Sequence, residues 1–264
     1  VLVYPKIDPV CLRFFGYEFY WYSVAYITGI LTGLWLAKWY QRRYWVNLSH
    51  DTFDKLVTYL IIGILIGGRL GYVILYAMDD FWANPFYLVE LPIRGMSFHG
   101  GFAGVAAATC LFSYRTKTSL WVVSDILACT APIGLFLGRI ANFINGELYG
   151  RVTDCHYGMI FPNGGILPRH PSQLYEACLE GLVLFIILNG LYRIQKIRER
   201  SGSIAGLFMI LYGIFRFIVE YAREPGDGYG IIGGLWLTWG QIYSLPMIII
   251  GIAITLIAKQ SRSQ

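Results

Sequence analysis

The sequence predicts an all-α, polytopic membrane protein of about seven transmembrane helices, with its N-terminus outside and its C-terminus cytoplasmic. Three observations predict it. The 264 residues are 56% hydrophobic and only 14% charged, which leaves too few polar groups to cover a water-soluble body of this size. The apolar residues fall into runs long enough to cross a bilayer. The cations fall between those runs and are shared out unequally.

At 1.5 Å per residue, ~20 apolar residues cross ~30 Å of hydrocarbon. Runs of that order lie at about 19–39, 56–77, 97–114, 120–145, 173–192, 204–222 and 237–258. Aromatic residues crowd their ends, as in Tyr20, Trp21, Tyr22, Trp39, Tyr40, Tyr44 and Trp45, where rings with a polar edge suit the headgroup layer. One set of connecting segments carries twelve cations: Lys38, Arg42, Arg43, Lys55, Arg115, Lys117, Arg193, Lys196, Arg198, Arg200, Lys259 and Arg262. The other carries six: Lys6, Arg13, Arg94, Arg151, Arg169 and Arg223. The richer set faces the cytoplasm by the positive-inside rule. The outer loops are then about 78–96, 146–172 and 223–236, and residues 1–264 read as a single integral membrane domain.

A net charge of +5 is explained by this loop bias, so nucleic acid is not an expected partner. The five cysteines show neither a CxxC nor a ligand spacing with histidine, so no metal site is expected. Cys11 and Cys155 fall on the same side, where a bridge is open to them; free thiols are the preferred reading. No short apolar stretch ends in a small-residue cleavage site, and no removable signal peptide is expected.

Three arginines remain, Arg69, Arg139 and Arg216, each inside a run. Arginine in hydrocarbon costs ~2.5–3.5 kcal/mol on insertion scales, so each needs a partner or a wet cavity. Snorkelling or a structural ion pair would satisfy any one of them. Their shared depth argues for more. Arg139, Asn142 and Asn145 recur at three-residue spacing just below the outer end of the fourth run, followed by Glu147 and by Gly146 and Gly150, which allow a close turn. Tyr212, Arg216 and Glu220 form a stripe at four-residue spacing in the outer half of the sixth. Gly67, Gly68, Arg69, Gly71, Tyr72 and Tyr76 lie toward the outer end of the second, the third opens at His99-Gly100-Gly101, and the fifth opens at His170-Pro171-Ser172-Gln173. Asp125, at the inner end of the fourth, reads as a cap or tether.

Guanidinium forks bind phosphate oxygens bidentately, and a lipid phosphate lies at this depth. A histidine with pKa ~6.5 takes a proton from a nucleophile near neutral pH. The pattern reads as phospholipid chemistry at the outer leaflet, with His99, Arg139 and Arg216 as its catalytic candidates.

Gly138-Arg139-Ile140-Ala141-Asn142-Phe143-Ile144-Asn145-Gly146-Glu147-Leu148-Tyr149-Gly150-Arg151 closely resembles the signature of the bacterial prolipoprotein diacylglyceryl transferases. So do Met96-Ser97-Phe98-His99-Gly100-Gly101, Arg169-His170-Pro171-Ser172-Gln173-Leu174-Tyr175-Glu176 and Tyr212-Gly213-Ile214-Phe215-Arg216-Phe217-Ile218-Val219-Glu220. The resemblance runs from Asp8-Pro9 to the last apolar run; Ala141 departs from it, standing where glycine is usual. It implies transfer of the diacylglyceryl group of phosphatidylglycerol to the thiol of the lipobox cysteine in a prolipoprotein signal peptide. A thioether forms and glycerol phosphate leaves, the first step of lipoprotein maturation in the bacterial cytoplasmic (inner) membrane, with the site toward its outer (periplasmic) leaflet. Under it Arg139 and Arg216 stabilise the departing phosphate and His99 is the base. Asn142 and Tyr22, with Asn145 and Gly150, hold the phosphatidylglycerol headgroup, Glu147 holds an arginine or the turn, and Glu220 positions Arg216. Tyr212, Arg69, His170 and Gln173 support the site. No cofactor is implied.

The rival reading is a lipid transporter or flippase, because intramembrane arginines and glycine-broken helices also mark translocation paths. A carrier should show polar residues through its midplane and paired interrupted helices, and neither is clear here. A scaffold that binds lipoproteins without chemistry would leave His99 unexplained.

Overall fold

The computed structural model describes residues 2–45, 49–90, 95–225, 229–232 and 235–258. Arg94, Lys259 and Arg262, three of the cations used for orientation, lie outside the described residues. The chain is mostly helical: α1 (Trp21–Tyr44), α2 (His50–Tyr76), α3 (Met78–Ala83), α4 (Phe98–Thr116), α5 (Leu120–Ile144), α6 (Ser172–Glu176), a π-helical segment (Ala177–Val183), α7 (Leu184–Tyr192), α8 (Gln195–Arg198), α9 (Ser203–Val219) and α10 (Trp239–Ile257). Helices occupy all seven stretches expected from the apolar runs. Among the described residues, four helical stretches are both long and apolar enough to cross a membrane: His50–Tyr76, Leu120–Ile144, Ser172–Tyr192 and Trp239–Ile257. Ser203–Val219 is apolar but shorter, at 17 residues.

Where bounds differ from the apolar runs, capping chemistry explains part of it. α2 begins at His50 rather than 56 because Ser49 caps it, its hydroxyl accepting from the Thr52 amide at 3.2 Å, and a polar first turn is invisible to hydropathy. Among the described residues, three small two-stranded β pairs lie between or beside the helices. β1 (Leu2–Val3) pairs in parallel with β4 (Met159–Ile160), β2 (Val10–Phe14) with β3 (Tyr17–Tyr20) as a hairpin, and β5 (Tyr229–Ile232) with β6 (Leu235–Thr238) as another.

By its contacts the chain divides into two compact units, residues 38–124 and residues 1–37 with 125–264. In the first, α2 packs on α4 along glycines: a Cβ on Gly67 would run into the Gly100 carbonyl, so the backbones touch. Ser97 caps α4 through the Gly100 amide at 3.3 Å, and His99 stands exposed in the first turn that follows.

In the second unit the helices are pinned at their ends. The buried Asp125 carboxylate accepts from the Gly202 and Ala205 amides, each at 2.8 Å. It thus satisfies two orphan donors at the start of α9, a tether as expected. α10 starts with a capping box between Thr238 and Gln241. The Tyr4 hydroxyl binds the Phe143 and Ile144 carbonyls at 2.8 and 2.6 Å, closing the last turn of α5. Tyr4 is held there by Met159 and Phe161, with Phe143 and Tyr149 against them. All five cysteines are free, Cys11 and Cys155 among them.

Candidate active site

The second unit gathers three arginines onto three carboxylates. Glu176, fully buried at the end of α6, is the hub. Its Oε2 receives Arg139 Nη2 at 2.8 Å and Arg216 Nη1 at 3.1 Å, and its Oε1 receives Arg223 Nη1 at 2.5 Å. Glu220 pairs with Arg216 Nη2 at 2.9 Å and with Arg223 Nε at 3.4 Å. Glu180, on the π-helical segment, lies 3.8 Å from Arg216 Nη1. The carboxylate side chains are 0–6% exposed while the arginine side chains keep 17–20%. The anions are therefore the more deeply buried partners. Buried charge of this kind is tolerable only when paired.

Local chemistry places each member. Arg139 is held on α5 one turn before Asn142, whose Oδ1 accepts from Nη1 at 3.5 Å. Glu147 folds back over the helix end and accepts from Asn142 Nδ2 at 2.8 Å and Asn145 Nδ2 at 3.3 Å. Glu147 is thereby tied to both asparagines of the turn. That turn runs through Gly146 at φ +66° and Leu148 at φ +55°, an uncommon conformation for leucine that the surrounding bonds must impose. Gln173 Nε2 holds the Glu147 carbonyl at 2.5 Å and Ser172 Oγ the Leu148 carbonyl at 3.1 Å. The Tyr22 hydroxyl lies 3.3 Å from that of Tyr26 on α1.

Gly150 carries the loop that follows α5 past the end of α9. Its amide donates to the His170 carbonyl at 2.8 Å and it bridges to Arg223; a Cβ there would strike the Ala222 carbonyl. Arg151 reinforces the seam, Nε to the Arg223 carbonyl at 2.7 Å. His170 sits beside the seam with Nδ1 3.3 Å from the Tyr175 hydroxyl, and burial lowers its pKa below the usual histidine value. Glu220 rests against Gly240 in the first turn of α10, where free amides favour a carboxylate.

The expected residues Arg139, Asn142, Asn145, Glu147, Gly150, Gln173, Arg216 and Glu220 are thus joined by contacts within one unit, which also holds Tyr22, His170 and Tyr212. His99 and Arg69 belong to the other unit. There Arg69 is buried and donates to the backbone carbonyls of Leu88 at 2.9 Å, Gly95 at 3.5 Å and Tyr87. Its guanidinium stacks 4.8 Å over Tyr87 and 5.8 Å over Tyr72. Sequence reasoning passed over Glu176, Glu180 and Arg223. The signal was present for two of them: acids four residues apart inside an apolar run require cationic partners. Arg223 was assigned to loop charge.

A mostly helical chain with membrane-length apolar helices, in which buried carboxylates brace partly exposed arginines, has the make-up of an integral membrane protein. Comparison with known proteins then gives the family. Residues 9–257 match the family model described as prolipoprotein diacylglyceryl transferase, and the chain belongs to that family. Proteins named phosphatidylglycerol–prolipoprotein diacylglyceryl transferase align along nearly its whole length. That of Allorhizobium ampelinum is 46% identical over 100% of this chain and 94% of its own. That of Rhodospirillum rubrum is 46% identical over 99% and 96%. That of Vibrio cholerae is 47% identical over 95% and 91%.

Proposed function

We propose that this chain transfers the diacylglyceryl group of phosphatidylglycerol to the thiol of a lipobox cysteine in prolipoprotein signal peptides, releasing glycerol phosphate. The observation that carries the reading is the arginine cluster. The Arg139 and Arg216 side chains stay 20% and 18% exposed while paired with the buried Glu176 and Glu220, and two guanidinium forks suit the oxygens of one phosphodiester.

The chemistry follows from the product. Sulfur attacks the glyceryl carbon, the C–O bond to phosphate breaks, and the electron pair stays on the phosphate oxygen. Negative charge grows there, and arginines fixed in advance by buried carboxylates stabilise it without reorganising. A thiol of pKa ~8.5 is mostly protonated at neutral pH, so a base aids the attack. His99, exposed at the start of α4, takes that proton. Asn142, Asn145, Tyr22 and Gly150 shape the place of the headgroup, with Tyr212, His170 and Gln173 in support. No metal or organic cofactor enters this reaction.

Residues 1–264 read as one integral membrane domain with seven spans, in the bacterial cytoplasmic membrane, N-terminus outside and C-terminus inside. The site faces the outer leaflet. The inequality of twelve cations against six supports this orientation.

The test is purified protein in phosphatidylglycerol vesicles with a lipobox peptide. Glycerol phosphate should appear in step with a lipidated peptide; lipid movement across the bilayer without glycerol phosphate would turn the reading toward a transporter. Labelling of Asn163→Cys from the cytoplasmic side would overturn the orientation.

A further inference from the structure

Glu180 differs from Glu176, whose two oxygens are both hydrogen-bonded, and from Glu220, which lacks a hydrogen-bond partner at Oε2 but is ion-paired there with Arg216. Glu180 is fully buried, and neither of its oxygens has a hydrogen-bond partner among the described residues. The cation closest to it, Arg216 Nη1 at 3.8 Å, gives its hydrogen bond to Glu176 at 3.1 Å instead. Glu176 faces it from the preceding turn, Arg139 from α5, Tyr212 and Arg216 from α9, and Arg223 from the segment after α9. Both arginines nearest in the network are already engaged by Glu176 and Glu220. An ionised carboxylate without donors loses its hydration and gains little in return. A second carboxylate one turn away adds repulsion. Uptake of one proton removes both costs.

We propose that Glu180 is a neutral carboxylic acid in the resting protein, so that three arginines face two carboxylates and the cluster carries a single net positive charge. The inference rests on the phosphatidylglycerol reading for its purpose, since one positive charge is what a singly charged phosphodiester neutralises. With Glu180 ionised the three charges on each side would cancel, and the guanidiniums would attract phosphate only through local dipoles. Glu180 is assigned to act through Arg216. It is a positioning residue that fixes the charge Arg216 presents.

Infrared spectroscopy of the full chain in vesicles of zwitterionic lipid reads the proton without turnover. Expected at neutral pH is the carbonyl band of a protonated carboxyl group, shifted by carbon-13 labelling of the glutamates and absent from Glu180→Gln. A spectrum without that band, or one in which it survives in Glu180→Gln, overturns the proposal. Should Glu180→Gln not fold, the labelled wild-type chain still decides, because no protonated glutamate band means no neutral Glu180. Kinetics supply the second arm. As rising pH removes the band, the wild-type KM for phosphatidylglycerol should climb ~tenfold or more, the effect of one new negative charge a few ångströms from the bound phosphate. Glu180→Gln should not follow that rise, and an equal rise in both proteins sinks the charge-matching role. Failure of the phosphatidylglycerol reading itself looks different: no glycerol phosphate at any pH, with the band in place.

Discussion

Arg69 and Arg216 both lie inside apolar helices, one in each unit, and the protein satisfies them in opposite ways. Arg69 is 6% exposed and spends its donors on the backbone carbonyls of residues 87, 88 and 95, between two tyrosine rings. Carbonyls are neutral, so this arginine fastens the chain after α3 and has no edge left to offer. Arg216 is engaged by Glu176 and Glu220 from below and stays 18% exposed. Carboxylates balance its charge through a few contacts and leave the guanidinium able to bind again. The acceptor type, more than depth, separates an arginine that holds the fold from one that awaits an anion.

The contrast can be broken first at His99, the one expected catalytic group outside the ionic unit. If it is the base, His99→Gln lowers turnover by ~10²–10⁴, and raising the pH toward the thiol pKa of ~8.5 restores part of the loss. A ratio of wild type to variant that stays flat between about pH 6.5 and 9 would remove the base assignment. Next comes Glu176→Gln. Removing the shared carboxylate leaves three guanidiniums short of charge in a buried site, a loss of ~3–5 kcal/mol in denaturant stability; a loss below ~1 kcal/mol would mean that surface-like screening prevails. The sharpest comparison is the paired exchange of the two arginines. Arg216→Lys keeps the charge and loses the fork, so kcat falls by ~10²–10³ while the chain stays folded. Arg69→Lys should cost ~1–3 kcal/mol of stability through orphaned carbonyls, with the KM for lipid unchanged. If the two variants lose turnover alike, acceptor type does not separate the roles.

Much of the fold was legible because hydropathy sets where helices lie: a helix meets every expected run, and charged loops separate them. The β pairs were not, being strands of two to five residues whose partners are remote or local turns rather than a periodic pattern. Within the site, Arg139, Asn142, Arg216 and Glu220 were legible by spacing, and Glu147 by the motif that follows Asn142. Arg223 was not, because its position just past α9 makes it look like loop charge until the seam with Gly150 and Arg151 folds it inward. Nor was the arrangement of Glu176 and Glu180, since the widened π-helical turn between them changes which side chains share a face.

The Tyr4 hydroxyl ties itself to carbonyls 139 and 140 residues away, and β1 beside it finds its partner at Met159–Ile160. During synthesis Tyr4 meets these carbonyls only after some 140 further residues have been made. The turn that aims Asn142 and Glu147 is therefore finished by a segment made well before it. Closing so long a loop is slow relative to forming the helices themselves. Assembly thus has a built-in order: α5 can form before the site at its end is completed, which waits until residues 2–4 meet residues 143–160.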